Sequence, residues 1–291
     1  MKIAKLLILA LLLSMLAFGQ QGCKREKAPE VGTQGIVISS IPAAPPAEVS
    51  KGQQCPIYVF LENKGSYDVK AGEAKIFLEG LAPELFSLTK TDLAKQNAAE
   101  LKKANRDAGI VGGRERIIFT DKAKYIGQNV GYTQPLIYKS CYVYETTVRA
   151  DVCMALQSSA VCALEGDKLK GAAIGDAPMQ ITSINEERSG QNVLIKFKIE
   201  NKGTGNVYLP TVNCEKPEAF LQDSVLVDIQ TEEPLDCKPT LSEEKSGEGR
   251  VNSIVVCKRN MQNVAERLSP ITLNLRYTYV ETTRTALNVT E

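Results

Sequence analysis

Histidine is absent from all 291 residues, and so is tryptophan. Without imidazole there is no Ser-His-Asp or Cys-His nucleophile pair, and no zinc site that draws on histidine. No Cys-x-x-Cys spacing occurs, which removes zinc ribbons and thioredoxin-like redox centres. Without tryptophan the usual sugar-stacking platform is missing. An excess of one charge is absent as well: 35 Lys and Arg against 34 Asp and Glu leave a net charge of +1. No basic run interleaves with aromatics, so nucleic acid is not an expected partner. Gly112-Gly113 in "GIVGGRER" lacks the spacing and the Lys-Ser/Thr of a P-loop and reads as a hairpin turn. The acidic stretches 185–189 ("NEERS") and 231–234 ("TEEP") lack the alternating ligands of a calcium loop and read as solvated loops. A dispersed carboxylate pair would leave no mark in sequence, and nothing here singles one out. The expectation is a protein that is not an enzyme and holds no metal or cofactor.

Long apolar runs are also missing, except at the start. "MKIAKLLILALLLSMLAFGQQGC" places Lys2 and Lys5 before an apolar run over 6–18, broken by Ser14. That run is roughly the 7–15 residues of a secretory signal and short of the ~20 that span a bilayer. An uncleaved anchor is the alternative. Two processing sites compete. Ala17-Phe18-Gly19 has the small-x-small pattern of ordinary cleavage. Gly22-Cys23 resembles a lipoprotein site at which Cys23 carries lipid, although Gln20 stands where that pattern takes Leu. The leader thus covers 1–23, and a charged tether, 24–32, follows. Export to the cell surface, with the N-terminus holding the chain to the extracytoplasmic side of a membrane, is the expectation.

What the chain does have is a repeat. "FLENKG" at 60–65 returns as "KIENKG" at 198–203, and "CYVYETTVRADV" from Cys141 returns as "RYTYVETTRTALNV" from Arg276. The offsets are 201 − 63 = 138 and 277 − 142 = 135. Both copies run an alternating β-rich segment into Asn-Lys-Gly, residues that suit a tight, left-handed connection. Segments such as "RIIFTD", "VLVDIQ" and "ITLNLRYTYV" are rich in Val, Ile, Thr and Tyr. The fold class expected is all-β: two tandem antiparallel β-sandwiches, at 33–152 and 177–291, joined by a cysteine-bearing linker at 153–176. One stretch differs. "TDLAKQNAAELKKANRDAG", 91–109, has helix formers, Asp92 near its start and Gly109 at its end, and reads as a surface helix inserted in the first domain.

Tyr142, Tyr144, Tyr277 and Tyr279 fall at strand spacing, so each pair shares a sheet face. Core packing, or a tyrosine-corner contact near a strand end, outweighs an aromatic recognition strip. Asn288-Val289-Thr290 is a glycosylation acceptor triplet.

The paired "ENKG" strand ends in an exported, tethered chain resemble the Ig-like modules of archaeal and bacterial surface proteins, the CARDB-like and S-layer-associated groups. The resemblance covers both repeats. It implies exposed, non-catalytic scaffolding or adhesion, with a protein of the cell envelope as partner. An accessory subunit of a larger envelope assembly, such as a transporter or pilus, is the alternative.

Eight cysteines in an exported chain read as a disulfide framework. Beyond Cys23, the seven others leave one unpaired. Cys55 and Cys141 are both replaced at the repeat offsets, by Val193 and Arg276, and are expected to pair. Cys153 and Cys162 flank a short loop. Cys237 and Cys257 are equidistant from Gly247, a loop tip about which a hairpin would fold. Cys214 is then the odd thiol.

Overall fold

The computed structural model describes residues 31–291 apart from 233, 239–245 and 263. The leader, nearly all of the tether and Cys23 lie outside the described residues. From the first repeat come β1 (Ile36–Ser40), β2 (Glu48–Ser50), β3 (Gln54–Asn63), β4 (Ala74–Glu79), β5 (Ala94–Gln96), β6 (Arg114–Lys124) and β7 (Tyr132–Met154). After β8 (Ala173–Ile174) the second repeat supplies β9 (Met179–Ser189), β10 (Asn192–Asn201), β11 (Asn206–Tyr208) and β12 (Ser224–Thr231). It closes with β13 (Asp236–Lys238), β14 (Ser246–Arg250), β15 (Ser253–Asn260) and β16 (Arg267–Thr290).

Among the described residues these strands make three sheets. β1, β3 and β6 form a small sheet, and β13, β15, β10 and β9 form its counterpart in the second repeat. The third sheet has nine strands, on the path β14-β12-β16-β7-β4-β5, with β2 and β11 also on β16 and β8 on β7. Among the described strands every pairing is antiparallel except that of β2 with β16. β7 and β16, the strands of the second echo, pair from Tyr132↔Val289 to Met154↔Arg267. Tyr142 faces Tyr279, Tyr144 faces Tyr277, and between them Val143 faces Thr278. Thr278 is the residue that the 135-residue offset assigns to Val143. A pseudo-twofold axis therefore passes through that pair and relates the two repeats.

Side-chain parity sets the layers. Along β7 the even positions from Gln134 to Met154 are buried, and along β16 the odd ones from Ser269 to Tyr279 and again Leu287 and Val289. The inward residues of both small sheets, such as Ile57, Val59 and Leu61 or Val193, Ile195 and Phe197, join them in one core. The architecture is thus sandwich-like, with two small sheets on one face of a shared large sheet. Each long strand runs on into the other repeat. Beyond the tyrosines, Thr146 Oγ1 donates to Met179 O of β9 (2.7 Å), and Asn288–Thr290 of β16 lie beside Glu48–Ser50 of β2. Val31–Glu291 forms one compact unit.

The helix expected over 91–109 is not there. Lys90–Asp92 makes a single 3-10 turn, closed by a reciprocal Thr89–Asp92 capping box, and β5 follows at once. Asn97 explains why the chain extends. It is buried, accepts from Ala74 N at 2.9 Å, and donates to Lys70 O and Ala99 O at 2.8 Å each. Leu101 is buried too and bridges to Val69. These tertiary bonds outweigh a helix propensity worth only tenths of a kcal/mol per residue. Gly109, at φ +67°, turns the Asn105–Ile110 hairpin rather than ending a helix. Gly112-Gly113 is not that turn. A Cβ on Gly112 would lie 1.9 Å from Asn63 O, so the pair marks a close backbone approach.

Candidate binding face

The repeated Asn-Lys-Gly is a clamp, built the same way twice. Gly65 N donates to Asn63 Oδ1 (3.1 Å), and Asn63 Nδ2 donates to Tyr67 O (2.6 Å). Tyr144 of β7 completes it: its hydroxyl donates to Asn63 Oδ1 (3.1 Å) and accepts from Tyr67 N (3.3 Å). In the second copy Gly203 N reaches Asn201 Oδ1 (3.1 Å), and Asn201 Nδ2 reaches Gly205 O (2.8 Å). Tyr279 donates to Asn201 Oδ1 (3.5 Å) and accepts from Gly205 N (2.6 Å). The glycines do not adopt the left-handed backbone anticipated from sequence. They make room: a Cβ on Gly65 or Gly203 would sit 2.1 or 2.2 Å from the tyrosine hydroxyl. The four tyrosines form a ring of aromatic contacts about the pseudo-axis, with centroids 5.7 to 6.4 Å apart. Burial pushes the phenols of Tyr142, Tyr144 and Tyr277 well above their usual value, and Tyr279 to about 12. They are structural groups, held neutral.

The cysteines depart from expectation at one pair. Cys153–Cys162 and Cys237–Cys257 are bonded, but Cys141 joins Cys214, and Cys55 is a buried free thiol. Parity gives the reason. Tyr142 and Tyr144 point into the core, so Cys141 must point out of the other face of the large sheet. There it packs with Phe77, Tyr208, Val212 and Val280 and meets the 209–223 loop. Cys55 points inward from β3, where burial pushes its thiol up. Cys237 and Cys257 face each other across β13 and β15, yet no simple hairpin folds about Gly247, because β14 pairs with β12 of the large sheet before the chain returns. Three disulfides indicate an oxidising, extracellular environment. Asn288 is exposed but lies inside β16, its backbone bonded to Ala47 O (2.9 Å) and its side chain to Thr133 (2.9 Å).

Glu186, expected in a solvated loop, lies instead in β9 and points inward, with no exposed side-chain surface. Oε1 accepts from Cys153 N (2.5 Å), and Oε2 lies 3.2 Å from Lys168 Nζ. Burial pushes its carboxyl up to about 7, against the pull of Lys168. The group staples the 155–172 loop to β9, together with Lys168 N donating to Ile184 O and Asp167 accepting from Ile184 N. The alternation of "INEER" is the sign in the sequence that Glu186 shares a face with Ile184.

The outward face of the first small sheet gathers aromatic and basic side chains. Tyr58, Phe60 and Glu62 on β3 stand opposite Ile118, Arg116 and Arg114 on β6. The arginines lean diagonally. Arg114 lies over the Phe60 ring at 3.7 Å from its centroid, and Arg116 over Tyr58 at 5.4 Å. Tyr58 donates to Asp121, which raises its phenol. Neither guanidinium forms an ion pair with a described residue, and Ile118 is 40% exposed beside them.

No family model and no curated protein matches the chain. Among solved structures, the secreted serine protease VesC from Vibrio cholerae aligns over 84% of this chain and 49% of its own, at 10% identity and a TM-score of 0.14. The chain spans about half the length of that protein, and similarity at this level carries no argument.

The second repeat supplies the comparison that does. At the 138-residue offset Tyr58 becomes Lys196, Phe60 becomes Lys198, Arg116 becomes Ile254 and Ile118 becomes Val256. The pairing is equivalent, Lys196 opposite Val256 and Lys198 opposite Ile254. Here the cations are neutralised within the chain. Lys196 meets Glu187 at 2.5 Å, and Glu200 pairs with both Lys198 and Lys202, which hold its carboxyl down at about 2. The same scaffold therefore folds with lysines where the first copy has aromatics. Tyr58 and Phe60 are not required by the fold. Among the described residues no group of three or more Cys, Asp and Glu is placed to hold a metal ion.

Proposed function

We propose that the chain is a non-catalytic binding or structural protein of the cell surface, held to a membrane through its N-terminal segment. Its repeats would be Ig-like modules fused through a common sheet, displaying one face to an envelope protein. One observation supports this most directly. Two copies of one scaffold carry different outer faces, and among the described residues only the first has arginines over aromatic rings, the residue types that dominate protein contacts. The disulfides, the shared core and the tyrosine clamps would keep that face rigid, which lowers the ordering cost of binding. Cys23 or an uncleaved leader would supply the anchor.

The test is protease shaving of intact cells, followed by cross-linking mass spectrometry on the native membrane. Surface exposure with links from Lys64, beside the face, to one recurrent envelope protein at fixed stoichiometry supports the reading as an accessory subunit of an assembly. Exposure with links to varied or extracellular targets supports an adhesin or stalk. Failure of protease to reach the chain on intact cells, or substrate turnover by the purified protein, overturns the proposal.

A further inference from the structure

We infer that the Tyr58–Phe60–Arg114–Arg116 face docks an acidic segment of a partner protein, with carboxylates seated on the two guanidiniums and an apolar group on Tyr58 and Ile118. The inference rests on the proposed binding role and names the chemistry of what is bound.

Charge complementarity carries it. A guanidinium stacked flat on a ring keeps its in-plane N–H groups directed outward, the geometry that takes a carboxylate through two parallel bonds. Arg114 lies over the Phe60 ring at 3.7 Å, a distance that suits such stacking, Arg116 lies over Tyr58 at 5.4 Å, and no described carboxylate pairs with either. On the second copy the corresponding face satisfies its cations from within, through Glu187 and Glu200. The first copy leaves two cations for an outside partner. Being two residues apart on one strand, they are spaced roughly 7 Å, which matches acidic side chains at alternate positions of an extended segment.

A dense polyanion fits less well. Glu62 lies opposite Arg114, and Asp121 accepts from Tyr58, so carboxylates of the chain itself border the patch. They would repel a continuous phosphate or sulfate chain, but leave room for two discrete carboxylates. Docking is on the face and not by strand addition at the edge. In the second repeat β13 closes the outer edge of β15, clamped by Cys237–Cys257. The first repeat has no such strand, and β6 is instead bent by register shifts opposite Cys55 to Tyr58. Bulges of this kind spoil an edge for further pairing.

The experiment places a photoreactive benzoylphenylalanine at Ile118, and separately at the equivalent Val256, in the full chain on native cells. Irradiated adducts are sequenced. The expected result is an adduct from position 118, but not from 256, mapping to a partner segment with two Asp or Glu within about three residues of the cross-link. Arg116→Glu, an exposed change checked by unaltered thermal melting, lowers the yield at least tenfold, and reversing the partner's acid to Lys restores it. Adducts to lipid, polysaccharide, a second copy or residues 1–30 of this chain overturn the inference. So does a protein adduct without nearby acids, or one indifferent to Arg116→Glu. If protease shaving shows the chain exposed and position 118 yields no adduct, this inference fails while the surface role stands. An unexposed chain fails the surface role first.

Discussion

Replacing Glu186 by Gln should abolish a specific pH dependence of stability. Its carboxyl is fully buried beside Lys168, and burial raises it from an ordinary 4.5 to about 7. The native state therefore keeps this proton up to about pH 7, whereas the unfolded chain releases it near 4.5. Between those values the native state binds more protons than the unfolded state, so stability falls as pH rises. The contribution is complete below the unfolded value and lost above the native one. Each pH step of one between those two values is worth about 1.4 kcal/mol, so the change across the window is about 3 kcal/mol. Gln keeps an oxygen for Cys153 N but turns an amide NH2 toward Lys168. That adds a constant offset, because the amide does not titrate. Urea unfolding at intervals from pH 4 to 8.5, with disulfides intact, gives the two stability profiles. The difference between wild type and Glu186→Gln should be about 3 kcal/mol larger in favour of wild type at pH 4 than at pH 8. Profiles that run parallel within ~0.5 kcal/mol would refute the reasoning, since contributions common to both proteins cancel in the difference.

The tyrosine ring contains its own control. Tyr144→Phe removes the hydroxyl that bonds Asn63 and Tyr67 and should cost about 1–2 kcal/mol in urea unfolding, whereas Tyr142→Phe, whose buried hydroxyl has no partner among the described residues, should be neutral or stabilising. Replacing Cys141 and Cys214 by Ser opens a link across 73 residues and should lower stability by about 4 kcal/mol, while Cys55→Ala should leave all three disulfides in a non-reducing peptide map. The Cys55 thiol should react with Ellman's reagent only after denaturation, because it is fully buried; rapid labelling of the native protein would contradict its placement. Tyr58→Lys with Phe60→Lys copies the second repeat onto the first, and its thermal midpoint should move by no more than a few degrees while the position-118 adduct disappears; unfolding would show that the aromatics serve the fold.

The all-β class, the strand positions and the duplication were legible because strand burial writes itself as alternation, and alternation survives in "VLIKFKIEN" and "LNLRYTYV". Parity alone also contained the answer to Cys141. Once Tyr142 and Tyr144 are assigned to the core, their odd-numbered neighbours face away from it, and a bond to an inward Cys55 is excluded. The helix over 91–109 failed for a different reason. Its composition was right for a helix, but Asn97 and Leu101 are held by the chain around Val69–Ala74, contacts that local propensity does not contain. Asn-Lys-Gly suggested a backbone conformation, yet its glycine answers to a hydroxyl about 80 residues away in the chain. The proposed binding face was invisible for a related cause: Phe60 and Arg114 become neighbours only when β6 is laid on β3.

How the repeats join also follows from the sequence once the register is known. The two echoes have offsets that differ by three residues, so the segment between the Asn-Lys-Gly clamp and the tyrosine strand is shorter by that amount in the second copy. Yet each clamp still receives its own tyrosine, Tyr144 on Asn63 and Tyr279 on Asn201. What is held constant is the meeting of clamp and central strand; the intervening loops absorb the difference. Because β7 and β16 then pair about Val143 and Thr278, each extends past its own clamp into the core of the other repeat. Neither half can leave without exposing the inward row of the other's long strand. A chain built this way cannot flex at a hinge between its repeats, so its two small sheets are held in a fixed relation. The two sheets share a scaffold but differ in outer side chains, the second pairing its charges within the chain and the first not, and that difference is the ground on which we propose the first as the face for a partner.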